Sequence, residues 1–181
     1  RNVTGVQTCA LPISNFGLTD LHLVAPECPA DWRRSEQTQA FATGSSHEQL
    51  QDFHEHGTLE SALKDCTRAL AFTRRPRELH PLDLVFSEAL LPPGREPDIS
   101  QHCPWPGPDQ KIALVFGNEK TGLLDAEVRE CTQAVRIATS DIVGSMNLSH
   151  AVAVVLARLY EHAESSAMRS TTPPAGSGPR S

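Results

Sequence analysis

Four short apolar stretches alternating with helical patterns constrain this chain more than any other feature. Residues 21–24, 69–73, 111–116 and 134–137 are short and nearly continuous in apolar character. That is the pattern of strands buried on both faces of a parallel sheet. Between them the spacing predicts helices. Thr58 can cap one that starts at Leu59, with Leu59, Ala62, Leu63 and Cys66 on one side. A second spans 124–131, where Asp125 and Glu127 in the first turn favour the helix dipole. A third spans 148–162, and its Ala151, Val152, Val154, Val155, Leu156, Leu159 and Tyr160 cover well over half the circumference. A helix apolar on so many sides is either central to a small domain or packed in a subunit interface. Strands alternating with helices predict an α/β fold on a parallel sheet.

The remaining segments add little core. The 181 residues suit one domain, but hydrophobic residues make up 39%, below the roughly 45–50% usual for a compact fold. Residues 164–181 read as a disordered tail, and 92–108, with six of the 14 prolines, as a surface loop. Residues 81–91 are apolar enough to predict a short helix. The net charge of −6 argues against a generic basic nucleic-acid coat protein. No apolar run approaches the roughly 18 residues that would span a bilayer. Cys9, Cys28, Cys66, Cys103 and Cys131 lie far apart without a CxxC pair, so a reduced, cytoplasmic setting and no metal site are expected. His47, His54 and His56 read as the solvated face of a helix or loop rather than as ligands.

Two segments have the makings of a site. In KIALVFGNEKTG, residues 111–122, a buried strand ends at Gly117 and turns through Glu119 toward Gly122. Ligands of open α/β sheets bind at such carboxyl ends. Gly117 would let a ligand approach the backbone, and Gly122 permits positive φ. An ordinary strand–turn–helix connection with a solvated Glu119 fits equally well. In IATSDIVGSMNLS, residues 137–149, a turn with Gly144, Ser145 and Asn147 feeds the broad apolar helix. Small polar groups at a helix N-terminus can hold a polar ligand, or simply cap the helix. Dinucleotide and P-loop glycine fingerprints are absent.

Together these segments resemble one family. FGNEKTGLLDAEV (116–128) followed by GSMNLSHAVAVVLARLYE (144–161) is similar to motifs 2 and 3 of the SpoU (TrmH-type) RNA ribose methyltransferases of the SPOUT superfamily. NFGLTDLHLVAP (15–26) resembles the latter half of motif 1, and FTRRPREL (72–79) the Thr/Arg stretch of the TrmJ-like branch, which modifies tRNA. The resemblance implies a parallel α/β sheet whose C-terminal segment forms a deep trefoil knot, a rare exception to unknotted topology. It implies S-adenosylmethionine as methyl donor, a ribose 2′-hydroxyl of RNA as acceptor, tRNA before rRNA, and a homodimer joined through the C-terminal helix. By the same resemblance Glu119, Ser145 and Asn147 are the catalytic-motif residues. Phe72, Thr73, Phe116, Gly117, Gly122, Ile137, Gly144, Ser145 and Met146 would contact the cofactor. Arg74, Arg75 and Arg77 would face RNA phosphate, where guanidinium forks are apt. Neither a metal nor a membrane is implied.

The match breaks at motif 1. Its essential Arg should fall at position 11, where Leu11 stands, and its Asn at position 5, where Gly5 stands. Residues 1–14 read as a non-native segment, the first strand and helix as missing or replaced, and 15–163 as the methyltransferase domain. The chain is then expected to lack the activator of the hydroxyl. Two other readings stand beside the enzyme: a non-catalytic RNA-binding or dimerisation module of the same fold, and a generic nucleotide-binding α/β domain.

Overall fold

A computed structural model describes residues 13, 15–18, 20–26, 54–74, 83–85, 110–140 and 146–170, the side chains of 83–85 and 165–170 excepted. Six strands and three helices are named among them: β1 (His22–Val24), β2 (His54–His56), α1 (Leu59–Leu63), β3 (Arg68–Phe72), β4 (Asp83–Val85), β5 (Ile112–Phe116), α2 (Asp125–Glu130), β6 (Gln133–Arg136) and α3 (Leu148–Ser170). Every strand pair is parallel: β1 with β2, and a four-stranded sheet in the order β4-β6-β3-β5.

The period of two along a strand explains the unbroken apolar runs. Ala69 and Ala71 of β3 and Ala134 of β6 face one side, where they pack with Leu59 of α1, Val128 of α2, Leu123 and Cys131. Leu70 and Phe72 of β3 and Val135 of β6 face the other, against Val155 and Leu159 of α3. With both faces covered, no position on the central strand can be polar without a buried partner. Leu70, Ala71 and Val135 are fully buried as a result.

The helix starts follow local chemistry. Thr58 Oγ1 accepts from the Ser61 backbone N–H at 3.3 Å, as a helix cap should. At α2 the Leu124 N–H donates to the Glu127 carboxylate at 2.6 Å, an acidic first turn reaching back to the chain entry.

Three expectations need correction. The helix expected at 81–91 contains β4, whose backbone is recruited by β6 through the pairs Asp83–Ala134 and Leu84–Val135. His54 and His56 lie on a strand, β2, because β1 supplies its hydrogen bonds. Residues 164–170, expected to be tail, are helical: α3 continues to Ser170, since no Gly or Pro interrupts the chain there and propagating an existing helix is easy. Ile13, inside the segment set apart as non-native, packs with Phe16 against Val152 and Leu156 of α3, because that helix has apolar surface left to cover. The loop at 92–108 and residues 171–181 lie outside the described residues.

Candidate functional site

Parallel pairing brings three strand ends to one edge. Phe72 of β3 is level with Phe116 of β5 and with Val135 of β6. The Phe72 and Phe116 rings stack at 4.7 Å and 8°. Phe72 is buried while Phe116 and Ile137 are half-buried, and all three belong to the cluster under α3. The next residues along, Thr73, Gly117 and Arg136, followed by Ile137, therefore form the rim of this edge. The Thr73 N–H donates to the Val135 carbonyl at 3.0 Å, which holds the rim between β3 and β6.

The loop after β5 is built by Asn118. Its Oδ1 accepts from the Lys120 N–H at 3.0 Å, the Thr121 N–H at 2.8 Å and the Thr121 hydroxyl at 3.0 Å. The Gly122 N–H donates to the Asn118 carbonyl at 2.9 Å and closes the loop. Gly122 has φ +67°, so the expected positive φ is present. Gly117 has a further reason to be glycine. A Cβ there would lie 2.1 Å from the Gly122 carbonyl carbon and 2.2 Å from the Leu123 nitrogen. The missing side chain makes room for the chain's own returning loop. Glu119 stands exposed at the apex of that loop.

Beside this loop, the start of α3 packs toward the same apolar cluster. Leu148 and Phe116 both pack against the Val152–Leu156 pair. Asn147 caps the helix: its Oδ1 accepts from the Ser149 N–H at 2.9 Å and the Ser149 hydroxyl at 2.7 Å. The capping role weighed for this motif is thus real. It engages the amide oxygen and leaves the amide NH2 as the donor with which Asn147 could reach a ligand. Met146 is exposed. Gly144, Ser145, Arg75 and Arg77 lie outside the described residues, and Arg74 is exposed.

These residues suit an adenosine-bearing cofactor. The half-buried faces of Phe116 and Ile137 offer apolar surface at a strand-end rim, and backbone groups of Thr73 and Gly117 stand next to it. The sequence reading missed one polar cluster, around His22. Its only local signal was the alternation His54-Glu55-His56, which acquires meaning once β2 pairs with β1.

Comparison with known proteins is consistent with this geometry. The model of the SpoU rRNA methylase family matches residues 8–157, so the match includes part of the segment set apart at 1–14. The tRNA (cytidine/uridine-2'-O-)-methyltransferase TrmJ of Klebsiella pneumoniae is 33% identical over 150 residues, 81% of this chain and 54% of that protein. The chain thus spans about half the length of the curated relatives it matches. A "probable methyltransferase" from Bordetella pertussis Tohama I superposes with a TM-score of 0.73 at 26% identity, over 90% of each chain. TrmJ from Z. mobilis ZM4 shares the fold with a TM-score of 0.68 at 24% identity, over 96% of this chain and 68% of that one.

Proposed function

Because the chain belongs to the SpoU rRNA methylase family, we propose that it is an S-adenosylmethionine-dependent RNA 2′-O-ribose methyltransferase domain acting on tRNA in the cytoplasm. The support comes from one observation above all. The two segments similar to motifs 2 and 3 meet one apolar cluster at the carboxyl edge of a parallel sheet, the edge where α/β folds bind ligands. The TrmJ relatives favour tRNA. The deep trefoil knot and the homodimer through α3 belong to the same proposal.

When bound, the cofactor supplies an electrophilic methyl group on its sulfonium. Transfer to the ribose oxygen would require the hydroxyl proton to leave. A ribose hydroxyl is a poor nucleophile at neutral pH, so alignment and a proton acceptor carry the rate. Phe72, Thr73, Phe116, Gly117, Gly122, Ile137, Gly144, Ser145 and Met146 would hold the cofactor, mainly through backbone. Glu119, Ser145 and Asn147 orient ribose and phosphate. Arg74, Arg75 and Arg77 take the phosphates.

The acceptor is the weak point. Position 11 carries Leu11 where the family's activating Arg belongs, and it lies outside the described residues. This favours a second reading, a module that keeps the fold and the RNA surface without turnover. One experiment separates the two: transfer of a labelled methyl from S-adenosylmethionine to tRNA, run beside calorimetry with S-adenosylhomocysteine. We expect cofactor binding with slow transfer by the chain as it stands, and faster transfer after Leu11→Arg. Robust transfer without that change would remove the argument from Leu11. Absence of cofactor binding by the folded chain would remove the methyltransferase reading.

A further inference from the structure

A polar cluster lies at the far end of β5 from the motif loops. Lys111 precedes β5 and Gly117 follows it, so groups on Lys111 are separated from the carboxyl edge by the length of the strand. The register pairs His22 with His54, and the period of two puts His54 and His56 on the same face of β2. Three imidazoles therefore gather on one side of a two-stranded sheet. The His22 ring lies 4.9 Å from each of the other two. Asp20 Oδ1 is 2.6 Å from His22 Nε2 and 4.0 Å from His54 Nε2. Asp20 Oδ2 holds the Lys111 ammonium at 3.0 Å.

We propose that Asp20, His22 and His54 bind a divalent transition metal of the zinc type. One nitrogen of each imidazole and one carboxylate oxygen already lie within 4.8 Å of one another. Zinc bonds of about 2.0–2.1 Å in a tetrahedron place ligand atoms roughly 3.3 Å apart. The observed 2.6 and 4.0 Å bracket that spacing. Side-chain rotation can close the difference, because Asp20 and His54 are 51% and 62% exposed. Two imidazoles with one carboxylate select zinc, nickel or copper over magnesium or calcium, and water completes the fourth position.

The supporting groups around the ligands are the stronger observation. A metal-binding His needs an acceptor for its other N–H to fix the tautomer. With His22 Nε2 on the metal, its Nδ1–H points at His56 Nε2, 2.7 Å away. His56 Nδ1 in turn faces the Ser61 hydroxyl at 3.4 Å, which donates to the Thr58 carbonyl at 2.8 Å. Every donor in that relay has an acceptor. On coordination the proton that His22 Nε2 shares with Asp20 leaves to solvent. The metal would pin β1 to β2 and to the start of β5.

The test uses the full chain, stripped of metal with a chelator and titrated at neutral pH with zinc chloride in a calorimeter. Cobalt chloride then reports geometry through its visible spectrum. We expect one equivalent of zinc and a nitrogen–oxygen cobalt spectrum. His54→Gln and Asp20→Asn should each weaken zinc binding about 100-fold, and His56→Gln about 10-fold. His150→Gln on α3, outside the cluster, should leave it unchanged. Zinc should raise the melting temperature of the wild type but not of His54→Gln. Absent zinc binding by the folded wild type, unchanged affinity in both His54→Gln and Asp20→Asn, or a cobalt–thiolate band would each overturn the proposal. Magnesium chloride should give no heat, and binding of magnesium as tight as zinc would count equally against it.

Discussion

At Gly117 a single methyl group decides whether the loop after β5 can close. The clash at 2.1 Å is with backbone, so neither side can turn away. Gly117→Ala should cost about 1–3 kcal/mol, in the range of overpacked interiors, and should weaken S-adenosylhomocysteine binding. Urea unfolding and calorimetry read the two effects. Gly122→Ala meets no neighbour but must hold φ +67°, so about 1–2 kcal/mol is expected there. Cys131 is a different case. Burial first, then Glu130 and Glu127, push its thiol up to about 12. The folded chain keeps the proton that the unfolded chain gives up near the ordinary thiol value of about 8.5. Stability from this group is complete below that value and is lost as pH rises through the folded one. Urea midpoints should therefore fall between those two values, and Cys131→Ala should flatten the decline.

Among the elements, α3 shows how a structural and a functional role can share one side chain. Asn147 caps the helix through its oxygen, so Asn147→Ala should cost about 1 kcal/mol, read as a lower melting temperature. Asn147→Ser keeps a capping oxygen and lacks the amide NH2. It should restore most of the stability, yet bind tRNA more weakly if the amide orients ribose or phosphate. Equal tRNA binding by Asn147→Ser and the wild type would leave Asn147 a cap only. Elements with strong internal patterning were legible in advance: β3, β5, β6, α1, α2 and the start of α3 sit within a few residues of expectation. Each has its own apolar period or its own cap. The three-residue strands β2 and β4 were not, because nothing in HEH or DLV prefers a strand until a partner offers hydrogen bonds. The extension of α3 was missed for a related reason: residues 165–170 continue the helix because the turn before them already exists.

For the molecule as a whole, burying the sheet on both sides leaves α3 with more apolar surface than it uses. Val152, Val155 and Leu156 are buried, whereas Val154 is 37% and Tyr160 51% exposed in the single chain. Under the proposed dimer these two residues lie at the subunit contact. Val154→Glu with Tyr160→Glu should then sediment as a folded monomer, and a dimer surviving both changes would place the contact elsewhere. Among the described residues no helix is long and apolar enough to cross a membrane.

The chain's own letters determined the fold class, the parallel sheet and the two motif segments. Strand and helix periods are local quantities, and the segments from Phe116 and from Gly144 carry their family likeness in a few adjacent residues. They also showed that Gly122 could take positive φ, since glycine has no Cβ to clash there. Only the tertiary structure decided why Gly117 must be a glycine, because the atoms it yields to belong to Gly122 and Leu123 after a turn. Only it decided that Asp20, His22, His54 and His56 meet. Their neighbourhood depends on which strand β1 pairs with and in which register, and a one-residue slip would turn the imidazoles to opposite faces.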